Sequence, residues 1–547
     1  MSSPSPSPDY IMIDDDEESL IEILNEWNFD DEPVTVPETI VIADEYDRTT
    51  LERIVYNGHN YRVGKLSAAE LEDQTFVGID GIFSVSLEQN QEPQYYITGP
   101  LYRRARDSFG ILGRKRNEVS MFEESVMVPL SDAIRPRRII RTNAPYPDHN
   151  PPCERDDQIG PLVCRWKITH TAKQTKGTVR RLSIEEIPLP KYRWSRSALQ
   201  RFHRGRVSQG PSHESGKYTF GDGFCGAGGV SRGAKDAGLQ ISWGFDHDPK
   251  VITAYRGNFR NTMGYELDVY DFINIAREND MSVDILHVSP PCQPHSPAHT
   301  TEGKNDEINE AAGLGFGDVV DAVKPRIVML EQTHGILRRQ LWFRSYVERF
   351  TSLGYSVRWG ILPTMEFGVP QSRIRLIIFA AAPGESLPPF PSPTHRNGHA
   401  TLLPLTTVRE AIGNIPPTAT YHDTVDTRFE YWRPPVFQWD GQVATILTKG
   451  MQRDHDIHPD GHRRFTVREL ACFQTFPHYH TFYGCNTDVK KQIGNAVPPI
   501  LAKVLLQEIR YTLEEVDQEE EVLEVIELED DNEEGSDDDL VIIEPQA

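Results

Sequence analysis

The chain is poor in cysteine, with six in 547 residues: Cys153, Cys164, Cys225, Cys292, Cys472 and Cys485. No two form a Cys-x-x-Cys pair, which excludes a zinc knuckle and a disulfide scaffold and leaves no metal site to expect. The usage suits a reducing compartment. No apolar run reaches the roughly 18 residues of a membrane span, and the opening MSSPSPSPDY lacks both the basic and the apolar stretch of a secretion signal. Cytosol or nucleus is the expectation. Lysine and arginine are missing altogether from residues 1–47 and 511–547, which carry 15 and 17 acidic residues. Those ends account for the whole net charge of −25, and the body between them has a surplus of seven basic residues, the sign a nucleic-acid binder needs. The acidic ends, 1–47 and 513–547, are expected to be disordered.

Between about 48 and 145, short alternating apolar runs such as Phe76-Val77-Gly78-Ile79 and Ser125-Val126-Met127-Val128 are punctuated by Gly and Asn/Asp. That pattern predicts a small β-rich domain. Residues 146–216 read as a linker, Pro-rich at first and then strongly basic. From Lys217 apolar strands alternate with helical segments, which predicts βαβ units and a mostly parallel sheet, an α/β fold. Strands are expected at 218–222, 241–245, 283–288, 326–330 and 375–380, with a closing helix at 501–512. Residues 381–440 lack periodicity and read as an irregular insertion.

The chemistry-bearing residues fall at strand ends. The first strand runs into Gly221–Gly229, GDGFCGAGG. Gly221, Gly223 and Gly226 satisfy the dinucleotide pattern G-x-G-x-x-G, while Gly226 and Gly228 give the shorter G-x-G of adenosyl cofactors. Both patterns bring backbone close to a ligand, and Asp246 ends the next strand where an acid can hold ribose hydroxyls. An adenosine-containing cofactor is the common reading. The strand at 283–288 runs into Ser289-Pro290-Pro291-Cys292-Gln293-Pro294. A lone cysteine is ordinarily a small buried hydrophobe; here flanking prolines stiffen the loop and the sheet's carboxyl edge is where α/β proteins bind ligands, so Cys292 reads as a nucleophile. Glu331 in Glu331-Gln332-Thr333 ends the next strand, placed to donate a proton or hydrogen bond. Arg373 and Arg375, two apart, are expected on one strand face, able to grip a base, a phosphate or Glu331.

Taken in order, FCGAGG, DHD, SPPCQP, EQT, GVPQSRIR, TVREL and QIGNAVPP resemble the C5-cytosine DNA methyltransferase family over roughly 217–510. The resemblance implies a Rossmann-like S-adenosylmethionine methyltransferase domain over 217–512, with the 381–440 insertion reading the target. Phe224, Gly226 and Gly228 would border the methionine end of S-adenosylmethionine, Asp246 the ribose and Asp268 the adenine amine, with Asn495 and Val497 packed beside the cofactor. Cys292 would attack cytosine, Glu331 would hold its N3/N4 edge, and Arg373 and Arg375 would brace the base and that glutamate. Arg468 and Glu469 would support the recognition region. Glu331-Gln332-Thr333 stands where the family has Glu-Asn-Val, which resembles the fungal RID-type branch linked to silencing of repeated DNA. The usual Asn helps fix the Pro-Cys loop, so Gln332 bears on competence. His295, where the family often has Phe, is a second departure.

Residues 48–145, with HNYRVGK, LYRRARD, NEV and VMVPLSDAI, resemble a bromo-adjacent homology (BAH) domain, which implies a histone or chromatin partner in the nucleus. Arg103, Arg104, Arg106, Arg114, Lys115 and Arg116 could touch DNA. Ile11–Ile13 and Leu540–Ile543, each beside acids, resemble SUMO-interaction motifs. The leading reading is a DNA methyltransferase. The alternatives are a chromatin-binding protein whose methyltransferase fold has lost turnover, a tRNA methylase, and, least suited to PPCQ and QSRIR, a dinucleotide oxidoreductase.

Overall fold

The apolar runs after Lys217 become a seven-stranded layer in the order Met263–Glu266, Gln240–Asp246, Thr219–Gly223, Ile285–Val288, Ile327–Thr333, Ile374–Ala381, Ser356–Pro363. The computed structural model describes residues 47–530 except 87–92, 114, 116, 151–159, 171–175, 208–209, 212–215, 292–305 and 452–454, and only the backbone at 47, 170, 306–314 and 519–530. All seven strands run parallel except Ile374–Ala381, which is antiparallel to both neighbours. The chain enters at Thr219–Gly223 and winds outward both ways, so the order reverses between that strand and Ile285–Val288. A crevice opens at the carboxyl ends of such a pair.

Alternation of side chains across the strands builds two apolar layers. On one face Leu286, Val288, Val328 and Leu330 pack with Phe272, Phe316, Tyr346 and Phe350. On the other, Ile285, Ile327, Met329 and Ile377 pack with Val230, Leu501, Leu505 and Ile509. Strands buried on both sides read as near-continuous apolar runs, as Ile285–Val288 does.

Two strands were not expected. Met263–Glu266 is a short edge strand with no buried residue, and Ser356–Pro363 follows the helix Gln340–Ser352 after a tight turn at Gly354, whose φ is 89°. The linker expectation also needs correction. Leu162–His170 and Lys176–Arg181 are strands: the second pairs antiparallel with Ser356–Pro363, and the first pairs in parallel with Ala133–Arg141 and Glu118–Pro129. The β-rich N-terminal part and the α/β part therefore share one 16-stranded sheet. Buried arginine hid this in the sequence: Arg165 is buried, donates to Glu118 Oε1 at 2.6 Å and to the Ala144 carbonyl at 2.8 Å. Of the arm of bases proposed for DNA, Arg103 lies over Phe122, Arg104 over Phe76 and Lys115 over Tyr146; Arg114 and Arg116 lie outside the described residues.

The acidic C-terminal end is likewise not structureless from 513. Helix Pro499–Asp530 continues through it; Leu513 and Val516 are buried. Asp517 pairs with the wholly buried Arg326, whose guanidinium also grips Glu385 at 3.0 Å. Removing one side of a buried ion pair strands the other charge, so Arg326→Met is expected to lose about 3–5 kcal/mol of stability. Chemical denaturation measures this, and a variant as stable as the parent would contradict the assignment. Among the described residues no helix is long and apolar enough to cross a membrane. The segments 11–13 and 540–543 lie outside the described residues.

Candidate active site

Three adjacent strand ends converge at the crevice. The first is the Gly-rich turn. Phe224 takes a left-handed φ of 57° and Gly226 one of 53°, and such strain in a non-glycine residue is concentrated at ligand sites. A Cβ on Gly226 would meet nothing within 4 Å, whereas one on Gly228 would strike Phe259 at 2.3 Å. Gly226 therefore borders open space and Gly228 supports packing. Asp246 faces the turn: Oδ2 accepts from Gly226 N and Oδ1 from Asp248 N, each at 3.1 Å. Burial pushes its carboxyl pKa up, and those two N–H groups and His247 hold it back. One N–H per oxygen leaves a lone pair on each for hydroxyls. Asp268 caps the helix Val269–Glu278 with Oδ1 alone, which accepts from Tyr270 N and Asp271 N, so Oδ2 is left to accept from an amine. Asn495 is exposed at the end of its helix, and Val497 is buried with its carbonyl 2.5 Å from where a Gly229 Cβ would lie.

The second strand end is the proline loop. Ser289 N donates to Gly223 O at 3.4 Å, tying the start of the loop to the Gly-rich turn. Cys292 itself, with Gln293, Pro294 and His295, lies outside the described residues. The third is Glu331-Gln332-Thr333. Val288 is level with Leu330 in the parallel pair, so two residues on Pro290 and Gln332 come abreast. The Gln332 amide is fully buried and donates to the Pro290 carbonyl at 3.1 Å, while its Oε1 accepts from Thr333 N at 2.9 Å. The longer side chain thus still reaches the loop.

Arg375 is level with Thr333 across the antiparallel pair, which puts Glu331 on the same face, one diagonal away. Its Nε lies 2.8 Å from Glu331 Oε1, and both side chains are about nine-tenths buried. Arg373 goes elsewhere. The strand breaks at this residue, between Gln371–Ser372 and Ile374–Ala381. Its buried guanidinium donates to the carbonyls of Ile446, Gly494 and Ala496. The expectation that both arginines share a face at the base is corrected: Arg373 clamps backbone around the Gly494–Val497 segment.

Residues 218–433 and 396–511 match the family described as C-5 cytosine-specific DNA methylase, together a little over half the chain. The chain belongs to that family. It is a DNA cytosine-5 methyltransferase by class, and its methyl donor is S-adenosylmethionine. It is 27% identical over 334 residues to the type II methyltransferase M1.HphI of Haemophilus parahaemolyticus, covering 53% of this chain and 86% of the relative. It is 29% identical over 299 residues to M.HindV of Haemophilus influenzae, covering 52% and 94%. Among solved structures, a putative DNA modification methyltransferase from an E. coli prophage aligns at 19% identity and TM-score 0.44, covering 55% and 100%. The S. pombe Dnmt2 methyltransferase aligns at 16% and 0.40, covering 55% and 99%.

The donor set suits that cofactor. Open space at Gly226, the lone pairs of Asp246 and the free oxygen of Asp268 offer room for a sulfonium-linked methionine chain, acceptors for ribose hydroxyls and an acceptor for an adenine amine. Gln474 gave no sequence signal, yet it ties the Gln371 motif to the Ala496 segment. Gln371 Nε2 donates to Gln474 Oε1 at 2.6 Å, and the Gln474 amide donates to Ala496 O. Arg468 donates to Thr420 and to the His480 carbonyl, and Glu469 takes a two-pronged bond from Arg463, so both support the irregular region that extends to 466.

His480 is fully buried, with Nε2 2.9 Å from the Ala227 carbonyl in the Gly-rich turn. Burial pushes its pKa down to about 3. The native imidazole is therefore neutral and donates to Ala227. The unfolded chain takes up a proton below about pH 6.5 that the native state refuses, so stability is full above that pH and falls toward pH 3. The expected slope from His480 is roughly 1 kcal/mol per pH unit. Urea unfolding at pH 7.5, 6.5, 5.5 and 4.5 checks it: His480→Gln flattens the fall, and an unchanged slope contradicts the assignment.

Proposed function

We propose that this methyltransferase methylates C5 of a flipped-out cytosine in DNA through a covalent adduct at Cys292. The observation that carries the reading is the buried Glu331–Arg375 pair standing one strand from a Pro290 carbonyl held by Gln332. Cytosine C5 is a poor nucleophile until something adds at C6. The Cys292 thiolate forms the C6–S bond, and Glu331 protonates or hydrogen-bonds N3 as charge arrives there. Arg375 holds the Glu331 carboxyl in place. S-adenosylmethionine, when bound, would supply the electrophilic methyl to C5 and leave as S-adenosylhomocysteine, which keeps the S–CH3 electron pair. Transfer of the C5 proton to water then lets its electron pair re-form the C5–C6 double bond and expel the Cys292 thiolate, and the proton taken by N3 returns to Glu331. The base must leave the stack first, at a cost of a few kcal/mol.

The reading with lost turnover rested on Gln332, and the Gln332–Pro290 bond supplies the loop anchor that reading takes to be missing. Incubation with labelled S-adenosylmethionine and either duplex DNA or tRNA tests the substrate. Label recovered as 5-methylcytosine from DNA alone is expected; label in tRNA alone would refute it.

The wider role we propose is silencing of repeated DNA in the nucleus, with the BAH-like residues 48–145 meeting a histone or other chromatin partner. Repeats whose methylation is unchanged when the protein is absent would contradict it. Ile11–Ile13 and Leu540–Ile543 are proposed to bind SUMO by strand addition. Changing Ile11, Ile13, Val541 and Ile542 to Ala is expected to abolish SUMO pull-down, and equal capture would remove the proposal.

A further inference from the structure

Beneath the crevice lies a polar chain in an otherwise apolar layer. Asp222 and His287 are level in the pair between Thr219–Gly223 and Ile285–Val288, and both are buried. His287 Nδ1 is 2.7 Å from Asp222 Oδ1. A carboxylate only accepts, so the imidazole carries its proton on Nδ1 and donates. Asp222 Oδ2 accepts from Ser231 Oγ at 2.6 Å and from Ser231 N at 3.2 Å. Ser231 Oγ lies 2.8 Å from the Tyr255 hydroxyl. With the serine proton committed to Asp222, Tyr255 is the donor in that last bond.

The placement of these four residues is selective. Asp222 lies two residues before Phe224 in the strand that enters the Gly-rich turn, and His287 stands three residues before Pro290. Ser231 opens the helix Gly229–Asp236 behind the turn. Tyr255 lies in the helix Pro249–Asn258 that follows Asp246. Gly244 leaves space for Tyr255, since a Cβ there would fall 2.6 Å from its hydroxyl. The neighbours Ile285, Phe220 and Met329 are apolar. Burying a carboxylate and an imidazole among them costs more than packing hydrocarbon, unless the bonds are needed to fix a geometry. Among the described residues His287 Nε2 has no hydrogen-bond partner, so Asp222 alone orients the ring.

We propose that His287 is a positioning residue for methyl transfer: through Asp222 and Ser231 it locks the strand that carries the Cys292 loop against the strand that carries the cofactor turn. The inference rests on the covalent reading above. Misplacement of reacting atoms by about 1 Å can cost a hundredfold in rate. The test uses the full chain at a temperature well below the Tm of each variant. His287→Leu keeps the bulk and removes the donor; His287→Asn keeps an N–H near the Nδ1 position. Three quantities are read: affinity for S-adenosylmethionine, the single-turnover methyl-transfer rate, and the rate of adduct formation with 5-fluorocytosine DNA. Expected are a fall of about tenfold or more in both rates for His287→Leu, an affinity within about threefold of the parent, and recovery of most of the rate in His287→Asn. A Leu variant with a lowered Tm but parental rates would show a purely structural histidine and overturn the proposal, as would an Asn variant as slow as Leu. A parent that transfers methyl without an adduct would instead bring down the covalent reading, and the transfer rates of the variants would still decide the role of His287.

Discussion

Cys292→Ser is expected to lower methyl transfer to DNA by roughly three orders of magnitude or more while binding of S-adenosylmethionine stays near the parental value. A thiol is partly ionised at neutral pH and soft enough to add to an electron-poor ring carbon; a serine hydroxyl has no comparable anion. The loop that carries residue 292 starts from two fixed points, Ser289 N on Gly223 O and Pro290 O under the Gln332 amide. Neither involves the thiol, so the substitution leaves the cofactor turn and the loop anchor intact. A serine variant that transfers methyl within tenfold of the parent would mean that Cys292 is not the nucleophile.

Glu331→Gln is expected to cost roughly 10²–10³ in the transfer rate. The carboxyl can give a proton or a short hydrogen bond to N3 as negative charge collects on the ring; the amide can give only a neutral hydrogen bond and cannot pass on a proton. The substitution also strips the buried Arg375 of its carboxylate at 2.8 Å, so stability drops as well. Rates therefore need to be measured on folded protein, with thermal unfolding alongside. The effect should appear in kcat with KM for S-adenosylmethionine little changed, because Asp246 ends a different strand and Asp268 caps a helix. A change confined to KM for the cofactor would place Glu331 in binding rather than in chemistry.

The strand ends were legible because doubly buried parallel strands announce themselves as apolar runs, and each run here stops at Gly223, Val288 or the Glu331 group. What connects them was not. The register that sets Gln332 beside Pro290 depends on pairing between strands some forty residues apart in sequence. Arg373 and Arg375 look equivalent two residues apart, yet a break at Arg373 sends it to Gly494 and Ala496 while Arg375 stays at Glu331. A buried arginine misled in the same way at the joint between the two halves: Arg165, inside a stretch that reads as a basic linker, is a core residue with a carboxylate partner. Val179 and Val516 gave too short an apolar signal to announce the strand Lys176–Arg181 and the continuation of the closing helix past 512.

The most direct test of the covalent account is to incubate the protein and S-adenosylmethionine with DNA bearing 5-fluorocytosine, which accepts the methyl but cannot lose fluorine from C5. A stable protein–DNA adduct that maps by mass to the peptide containing Cys292, and is missing in Cys292→Ser, is predicted. Efficient methylation of ordinary DNA with no adduct on the fluorinated strand, or an adduct on another residue, would contradict it.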